Sequence, residues 1–392
     1  MLATSDLGNF RLKIIDTGCL DMTKYTEITA AVTECKGADF ELKQLKIRAP
    51  QDDEVLVKIL GAGMCHTDLI VRDQYYPVPL PAVLGHEGSG IIEAIGPNVK
   101  DLAVGDHVVL SYGYCGTCEQ CSTGNPAYCK DFFGRNFSGG DPEGHSAICS
   151  DQHDHVHDHF FAQSSFATYS LSRENNAVKV SKDVPIELLG PLGCGIQTGA
   201  GAAINALQVK PASSFVTWGA GAVGLSALLA AKVCGATTII AVDIVESRLE
   251  LAKELGATHV INSKTQDPVQ AIKDITQGGV KFALESTGRP ELLKQGIDAL
   301  GILGKIAVVG APALGTTAAF DVNDLLLGGK SIMGVVEGSG VPKKFIPELV
   351  SLYQQGKFPF DKLIKFYDFK DINQAAIDSH KGITLKPILK IS

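Results

Sequence analysis

Residues 214–243 read SFVTWGAGAVGLSALLAAKVCGATTIIAVD. A short apolar run at 215–218 leads into the glycine turn GAGAVG at 219–224, which is followed by an Ala/Leu-rich helical run and a second apolar run at 238–242. The order strand, glycine turn, helix, strand is typical of a dinucleotide-binding unit. It predicts a nucleotide site here; the alternative is a glycine-rich turn of an α/β domain that binds nothing.

Each glycine of the turn has a physical reason. Gly219 allows the tight turn, and Gly221 has no side chain, so a pyrophosphate can approach the backbone. Gly224 lets the helix pack closely against the strand. The helix begins near Ala222 and Val223, where free N–H groups and the helix dipole favour phosphate.

The acid after the second strand indicates which dinucleotide fits. Asp243 follows the glycines by about 20 residues, the spacing at which a carboxylate accepts hydrogen bonds from the ribose hydroxyls. The same charge would repel a 2′-phosphate. The sequence therefore predicts NAD rather than NADP.

The alternation of strands and helices continues beyond residue 243. Helical patterns occupy 246–255, 268–276 and 290–300, and apolar strand-like runs occupy 259–261, 281–284, 305–309 and 331–335. This rhythm predicts a doubly wound parallel sheet of about six strands.

Composition excludes several classes of function. The 392 residues are long enough for two domains, and a net charge of −8 argues against nucleic acid as a partner. The sequence contains no uncharged apolar run of about 18 residues, so it predicts no membrane-spanning helix. The clustered cysteines favour metal ligation in a reducing cytoplasm over a disulfide framework. We expect residues 1–21 to be a disordered extension, because an ordinary domain start begins near Met22.

Four cysteines lie close together in YCGTCEQCSTGNPAYC. Cys115, Cys118, Cys121 and Cys129 follow the spacing C-x2-C-x2-C-x7-C, among glycine, asparagine and proline that cannot form a core element. Four thiolates within tetrahedral reach predict a structural zinc site. An iron–sulfur cluster is an alternative, and so is a nucleic-acid-binding zinc ribbon, although little positive charge follows the motif.

Two further cysteines and a histidine lie in separate glycine-rich loops. They are Cys65 in CHTD, His86 in GHE and Cys194 in GCG. Three protein ligands leave a fourth position open, which is the catalytic arrangement of zinc. Each residue alone is more often a packing residue. The histidine run at 153–159 is interpreted as a solvated surface loop, with metal binding as the alternative.

Taken together, these motifs resemble the zinc-dependent medium-chain alcohol dehydrogenase family from about Met22 to the C-terminus. The stretches YGYCGTCEQC, NFSGGDPEGH and LGPLGCGIQTGAGA resemble the bacterial aryl-alcohol (benzyl alcohol) dehydrogenases within it. The resemblance implies a GroES-like β-rich catalytic domain, 22–195 and 341–392, and a Rossmann NAD-binding domain, 196–340. It also implies NAD-linked oxidation of primary aromatic alcohols, two zinc ions per chain, and a homodimer or homotetramer.

Site roles follow from the same resemblance. Cys65, His86 and Cys194 would hold the catalytic zinc, with Asp68 orienting His86 and Glu87 behind the metal. Thr67 would take the alcohol proton. The implied contacts to the coenzyme come from His66, Thr198, Arg248, Val309 and Lys386, in addition to the glycine turn and Asp243. Many members of the family carry a final proton acceptor where this chain has Ile70, so His66 or a water molecule becomes the candidate for that step.

Other substrates and classes stay open. The same family includes allylic or terpenoid alcohol dehydrogenases and glutathione-dependent formaldehyde dehydrogenases. A non-catalytic NAD-binding structural protein is the alternative from another class. For an aromatic substrate, the candidate pocket residues are Tyr75, Tyr76, Tyr112 and Phe133.

Overall fold

A computed structural model describes residues 25–150 and 155–392. The expected extension at 1–21 and His153 of the histidine run lie outside these residues. The strands are β1 (Tyr25–Thr33), β2 (Phe40–Arg48), β3 (Glu54–Gly63), β4 (Ala82–Val83), β5 (Gly88–Ile95), β6 (His107–Leu110), β7 (Ile148–Cys149), β8 (Tyr169–Arg173), β9 (Ala177–Lys179), β10 (Ser214–Trp218), β11 (Thr238–Asp243), β12 (His259–Asn262), β13 (Val280–Glu285), β14 (Leu300–Val308), β15 (Ser331–Gly334), β16 (Ile364–Asp368) and β17 (Lys386–Lys390).

The helices fall mostly in the second half of the chain. Within the described residues, none is long and apolar enough to cross a membrane. They are α1 (His66–Arg72), α2 (Glu119–Ser122), α3 (Phe132–Phe137), α4 (Gly195–Gly201), α5 (Ala222–Val233), α6 (Glu246–Leu255), α7 (Pro268–Thr276), α8 (Pro290–Asp298), α9 (Val322–Gly328), α10 (Pro342–Gln354) and α11 (Ile372–His380).

The second half forms a parallel sheet with the strand order β12-β11-β10-β13-β14-β15. This is the doubly wound order in which the chain starts at the centre and reverses direction beside β10. Ligands of such sheets bind beyond the carboxyl ends of the strands at that reversal. The sequence prediction of a six-stranded Rossmann sheet is confirmed.

The first half is mostly antiparallel. One sheet has the order β4-β1-β2-β7, and a seven-stranded sheet runs β16-β17-β3-β5-β6-β9, with β8 also paired to β3. The C-terminal strands thus return to this half, because β17 pairs antiparallel with β3 through Ile388 and Gly63. The exact domain boundaries stay a prediction.

A short helix links the two halves. Cys194 immediately precedes α4, which packs against α5, the helix that follows the glycine turn. A π-helical segment, Ala202–Ala206, continues α4, and such segments are frequent near functional sites. Gly199 of α4 packs against the backbone of Val223 in the first turn of α5, so α4 connects the loop of Cys194 to the glycine turn.

Candidate active site

The glycine turn has the geometry that the sequence predicts. Gly219 has a φ of +93°, a left-handed conformation that favours glycine. A Cβ on Gly224 would lie 1.9 Å from the carbonyl oxygen of Gly219, so only glycine lets α5 pack this closely. Beside Gly221 a Cβ would meet open space, and this residue lines a cavity of about 400 Å³.

That cavity is large enough for part of a dinucleotide and reaches the metal-ligand motifs. From the parallel sheet it is lined by the predicted contacts Gly219, Gly221, Ala222, Val223, Gly224, Asp243 and Arg248. From the β-rich half it is lined by Cys65, His66 and Lys386. Thr198 and Val309, in contrast, are half-buried residues outside this lining.

Asp243 is held by the backbone around the turn. One carboxylate oxygen accepts a hydrogen bond from Ala220 N at 2.7 Å, and the other accepts bonds from Ile244 N and Val245 N at 2.7 and 2.9 Å. The guanidinium of Arg248 lies 3.8 Å from the first oxygen. The carboxylate therefore shapes the turn as well as facing the cavity.

Cys65, His86 and Cys194 converge. Their ligand atoms, together with a carboxylate oxygen of Glu87, lie within 4.8 Å of one another. His86 is fully buried, and its Nε2 has no hydrogen-bond partner. An orphaned buried nitrogen facing two thiols fits a tetrahedral zinc ion with one open position.

Asp68 fixes two of these ligands. Its Oδ1 accepts a hydrogen bond from His86 Nδ1 at 2.8 Å, and its Oδ2 accepts one from Cys65 N at 2.9 Å. Burial opposes a charged imidazole, but the carboxylate outweighs burial and raises the pKa of His86. The hydrogen bond to Asp68 turns Nδ1 toward the carboxylate, so Nε2 is the ring atom that faces the two thiols.

The surroundings of Cys65 favour the thiolate form of its side chain. A hydrogen bond from Cys194 lowers the pKa of Cys65 well below its ordinary value, against the effect of burial, and the charge of Lys386 adds to this. The thiolate is the form that ligates metal. The same hydrogen bond, together with burial, raises the pKa of Cys194 well above its ordinary value, so the two thiols differ in how readily they lose a proton.

Lys386 lies deeper than the resemblance implied. Its Nζ is 2.7 and 2.9 Å from the two carboxylate oxygens of Glu87, and the residue is 3% exposed. Burial opposes the ammonium, but the charge of Glu87 outweighs it and raises the pKa of Lys386. Lys386 thus lines the cavity while its charge is engaged behind the metal ligands rather than free for a pyrophosphate.

Glu337 is a neighbour of the cluster that the sequence did not reveal. Its Oε1 accepts a hydrogen bond from Cys194 Sγ at 3.4 Å, and its Oε2 accepts one from Gln197 Nε2 at 3.1 Å. Burial raises the pKa of Glu337 to about 7. It lies 143 residues from Cys194 in a Gly-Ser-Gly stretch, so no local spacing points to it.

The predicted proton-transfer residues begin helix α1, next to Cys65; His66 lines the cavity, and Thr67 is outside its lining. Thr67 Oγ1 is 3.8 Å from Cys65 Sγ, and His66 is exposed and lines the cavity. His66 also lines a second cavity of about 330 Å³, together with Ile70, Tyr75 and Tyr76. Ile70 thus places an apolar side chain where the family often has a base.

The remaining aromatic candidates are not placed alike. Tyr112 is fully buried and donates a hydrogen bond to Gly340 O at 3.0 Å, whereas Phe133 is 63% exposed. Phe161 instead stacks on the His86 ring, with centroids 4.5 Å apart, and Phe160 meets it edge-on at 5.3 Å. The rings that contact His86 are therefore Phe160 and Phe161, which no motif in the sequence marks.

The four-cysteine motif also closes on itself. The sulfurs of Cys115, Cys118, Cys121 and Cys129 lie within 4.8 Å of one another, and all four cysteines are free. Cys115 Sγ accepts hydrogen bonds from Thr117 N and Cys118 N, which lower its pKa to about 6. This donor set fits a structural zinc ion.

The histidine run is only partly a surface loop. His155 is exposed, as expected, but Asp158 and His159 are buried and paired through His159 Nδ1. Asp158 also accepts hydrogen bonds from Ala147 N and Ile148 N at 2.8 and 3.0 Å. A buried carboxylate that is satisfied in this way is structural, which periodicity could not show.

Comparisons with known proteins agree with this geometry. The family model for an alcohol dehydrogenase GroES-like domain matches residues 51–182, and the model for a zinc-binding dehydrogenase matches residues 222–355. Geraniol dehydrogenase of Castellaniella defragrans is 43% identical over 370 residues, covering 94% of this chain and 99% of that protein.

Two solved structures are also very similar. The crystal structure of benzyl alcohol dehydrogenase from Acinetobacter calcoaceticus is 83% identical, covers 94% of this chain and 100% of its own, and has a TM-score of 0.92. An alcohol dehydrogenase zinc-binding domain protein from Burkholderia ambifaria is 64% identical with the same coverage and a TM-score of 0.93. The chain belongs to the zinc-dependent medium-chain alcohol dehydrogenase family.

Proposed function

We propose that this chain oxidises primary aromatic alcohols of the benzyl alcohol type to aldehydes, reversibly and with NAD. One observation carries the proposal: the buried cluster of Cys65, His86 and Cys194 opens, through Cys65, onto the cavity that the glycine turn lines. An alcohol at the cluster and a coenzyme in the cavity would therefore meet. This proximity is what hydride transfer needs.

Each residue of the site has a proposed role that follows from its position. A zinc ion held by the cluster would lower the pKa of an alcohol hydroxyl, and the nicotinamide would accept the hydride. Thr67 would receive the hydroxyl proton, and His66, which is exposed and lines the cavity, would pass it to solvent. Asp68 and Glu87 would hold the ligands and balance charge without touching substrate.

The aromatic preference is supported by similarity and by packing. The benzyl alcohol dehydrogenase noted above shares 83% of aligned residues with this chain. Phe160 and Phe161 place aromatic rings directly against His86. An allylic alcohol such as geraniol is the second candidate, because the geraniol dehydrogenase is 43% identical over nearly its whole length.

The preference for NAD is supported by the charge of Asp243. Its carboxylate lines the cavity with two arginines: Arg248, which lies 3.8 Å from it, and Arg289, whose guanidinium is paired with Glu291. A 2′-phosphate would meet this negative charge at close range. We therefore propose NAD as coenzyme.

A second copy of the chain is the proposed partner. Strand β15 lies at the end of the parallel sheet, and apolar side chains near it are exposed, including Leu326 at 71% and Leu327 at 82%. Open strand edges and apolar patches invite association. Light scattering should show a dimer or tetramer that Leu327→Glu dissociates; a wild-type monomer at micromolar concentration refutes this assignment.

A substrate panel tests the proposed reaction. NADH formation is measured with benzyl alcohol, geraniol, ethanol, and formaldehyde with glutathione. The proposal predicts a kcat/KM for benzyl alcohol at least about 100-fold above that for ethanol, which corresponds to about 2.7 kcal/mol. A lead for geraniol or for the glutathione adduct would keep the family and reassign the substrate. No turnover in a preparation with two zinc ions would favour a non-catalytic protein.

A further inference from the structure

Two buried glutamines lie between the loops that carry the candidate metal ligands. Gln163 and Gln197 are each 1% exposed, and the reaction proposed above uses neither. We propose that Gln163, Ser111 and Gln197, named here the amide bridge, are positioning residues that hold His86 and Cys194 in register for one metal ion. This inference rests on the proposed function, because it assumes a catalytic metal at the cluster.

Gln163 fastens the loop of His86. Its Nε2 donates hydrogen bonds to His86 O at 3.0 Å and to Ser111 O at 3.3 Å, and its Oε1 accepts one from Gly88 N at 3.0 Å. Both ends of one amide are thus bonded to the backbone on either side of Glu87. The main chain of His86 cannot shift without leaving buried polar groups unsatisfied.

Ser111 carries the connection to the loop of Cys194. Its hydroxyl donates a hydrogen bond to Gly193 O at 2.8 Å, one residue before the ligand. Gln197 Nε2 lies 2.9 Å from Ser111 Oγ and 2.6 Å from Gly193 O. The two ligands are far apart in sequence, and this chain of buried hydrogen bonds ties their loops together.

The backbone around Gln163 shows that its position is imposed. Left-handed conformations at non-glycine residues are unfavourable and persist only where the surroundings enforce them. Four such residues fall within six positions here: His159 at 56°, Phe161 at 52°, Ala162 at 54° and Ser164 at 56° in φ. The segment therefore keeps an unfavourable backbone conformation, and in that conformation the rings of Phe160 and Phe161 and the amide of Gln163 contact His86.

The functional consequence concerns the metal rather than the fold. Outer partners of a metal ligand fix its orientation, and their loss typically lowers metal affinity by about 10–100-fold. The free Nε2 of His86 can meet both thiols only while the two loops stay in register. Loosening the amide bridge should therefore speed loss of this metal and leave the four-cysteine site unaffected.

Zinc release from the holoenzyme tests the inference. Gln163→Met keeps an unbranched side chain of similar size and removes all three hydrogen bonds. Release is followed with a chromophoric chelator, and the visible spectrum is recorded after cobalt substitution of the catalytic site. One zinc ion per chain should leave at least about tenfold faster than in the wild type, with an altered cobalt spectrum, while the second zinc ion leaves at the wild-type rate.

Asn373→Leu is the matched control. This amide also makes two hydrogen bonds to a backbone, to Phe40 N and Phe40 O at 2.9 Å each, but it touches neither cysteine cluster. It should lower stability without changing zinc release. If zinc left Asn373→Leu as fast as it leaves Gln163→Met, general destabilisation would explain the faster release. That result would overturn the inference.

A second variant guards against misfolding. If Gln163→Met does not fold, Ser111→Ala removes only the hydroxyl that reaches Gly193 and should show the same selective release. Wild-type release rates and an unchanged cobalt spectrum in the folded variants overturn the amide bridge. A wild type that binds a single zinc ion and oxidises no alcohol would instead refute the proposed function, so the two failures are distinguishable.

Discussion

Lys386 pairs with Glu87 beneath the candidate metal cluster, with its Nζ 2.7 and 2.9 Å from the two carboxylate oxygens. Glu87 Oε1 also accepts a hydrogen bond from Gly195 N at 3.0 Å, next to Cys194. The ammonium of Lys386 is thus part of a buried ion pair and does not face the coenzyme cavity as a free charge. The pair joins the C-terminal strand β17 to the loops that hold the ligands.

Lys386→Met should destabilise the protein strongly and affect coenzyme binding little. Breaking a buried ion pair leaves an uncompensated charge and costs about 3–5 kcal/mol. Unfolding in urea measures the loss, and adding Glu87→Gln should recover part of it. Binding of NADH is followed through the single tryptophan, Trp218, which lines the cavity. A stable variant that binds NADH more than tenfold more weakly would favour a pyrophosphate contact instead.

Asp243→Asn should reduce the preference for NAD over NADP by at least about tenfold. The amide removes the charge that opposes a 2′-phosphate and keeps an acceptor for Ile244 N and Val245 N. The measurement is the ratio of kcat/KM for the two coenzymes. An unchanged ratio, with wild-type stability, would mean that Asp243 serves the turn and not the choice of coenzyme.

His159→Asn should remove a contribution to stability that depends on pH. Burial opposes the charged ring of His159, but Asp158, with Asp141 nearby, outweighs burial and the charge of Arg48 and raises its pKa above the ordinary 6.5. Because the folded state holds the proton more tightly, this contribution is complete below pH 6.5. It is lost as the pH rises through the folded-state pKa.

Urea unfolding of the wild type and His159→Asn from pH 5.5 to 9 checks the sign. Asparagine tolerates the left-handed backbone at this position, so the comparison isolates the ring. The wild type should be more stable at pH 6, and the difference should shrink toward pH 9. A difference that stays constant or widens with pH would contradict a raised pKa.

Cys118→Ala should remove one zinc ion per chain and lower the thermal midpoint. The four sulfurs lie within 4.8 Å, and a structural zinc ion stabilises the lobe that binds it. Tyr128 of this lobe donates a hydrogen bond to Gly334 O at 3.1 Å, so the loss should reach the parallel sheet. Elemental analysis and scanning calorimetry measure both effects. Iron in the wild-type site would instead support the iron–sulfur alternative.

The periodicity of apolar residues predicted those helix boundaries that depend on neighbouring residues in the sequence. Helix α6 begins and ends where its periodicity indicates, at 246 and 255. The predicted helix 290–300 ends earlier, at Asp298, because Leu300 already pairs with Val280 as the start of β14. Short apolar runs suit either element, and the neighbouring strand decides between them.

Glu337 and Gln163 mark the limit of such patterns. Their contacts with Cys194 and His86 span 143 and 77 residues, and no spacing in the sequence encodes them. The metal ligands could be found because cysteine, histidine and glycine form recognisable motifs. The side chains that support them are ordinary residues, and their roles appear only once the loops are brought together.

Turnover and coenzyme binding, measured in one sample of Cys65→Ala, separate the role of the metal cluster from that of the glycine turn. NADH formation from benzyl alcohol reports the cluster, and quenching of Trp218 fluorescence by NADH reports the cavity. We expect turnover to fall by at least about 1,000-fold while NADH binds within about threefold of the wild type, because the metal cluster supports the chemistry and the glycine turn binds the coenzyme. Retained turnover, or loss of NADH binding together with activity, would contradict it.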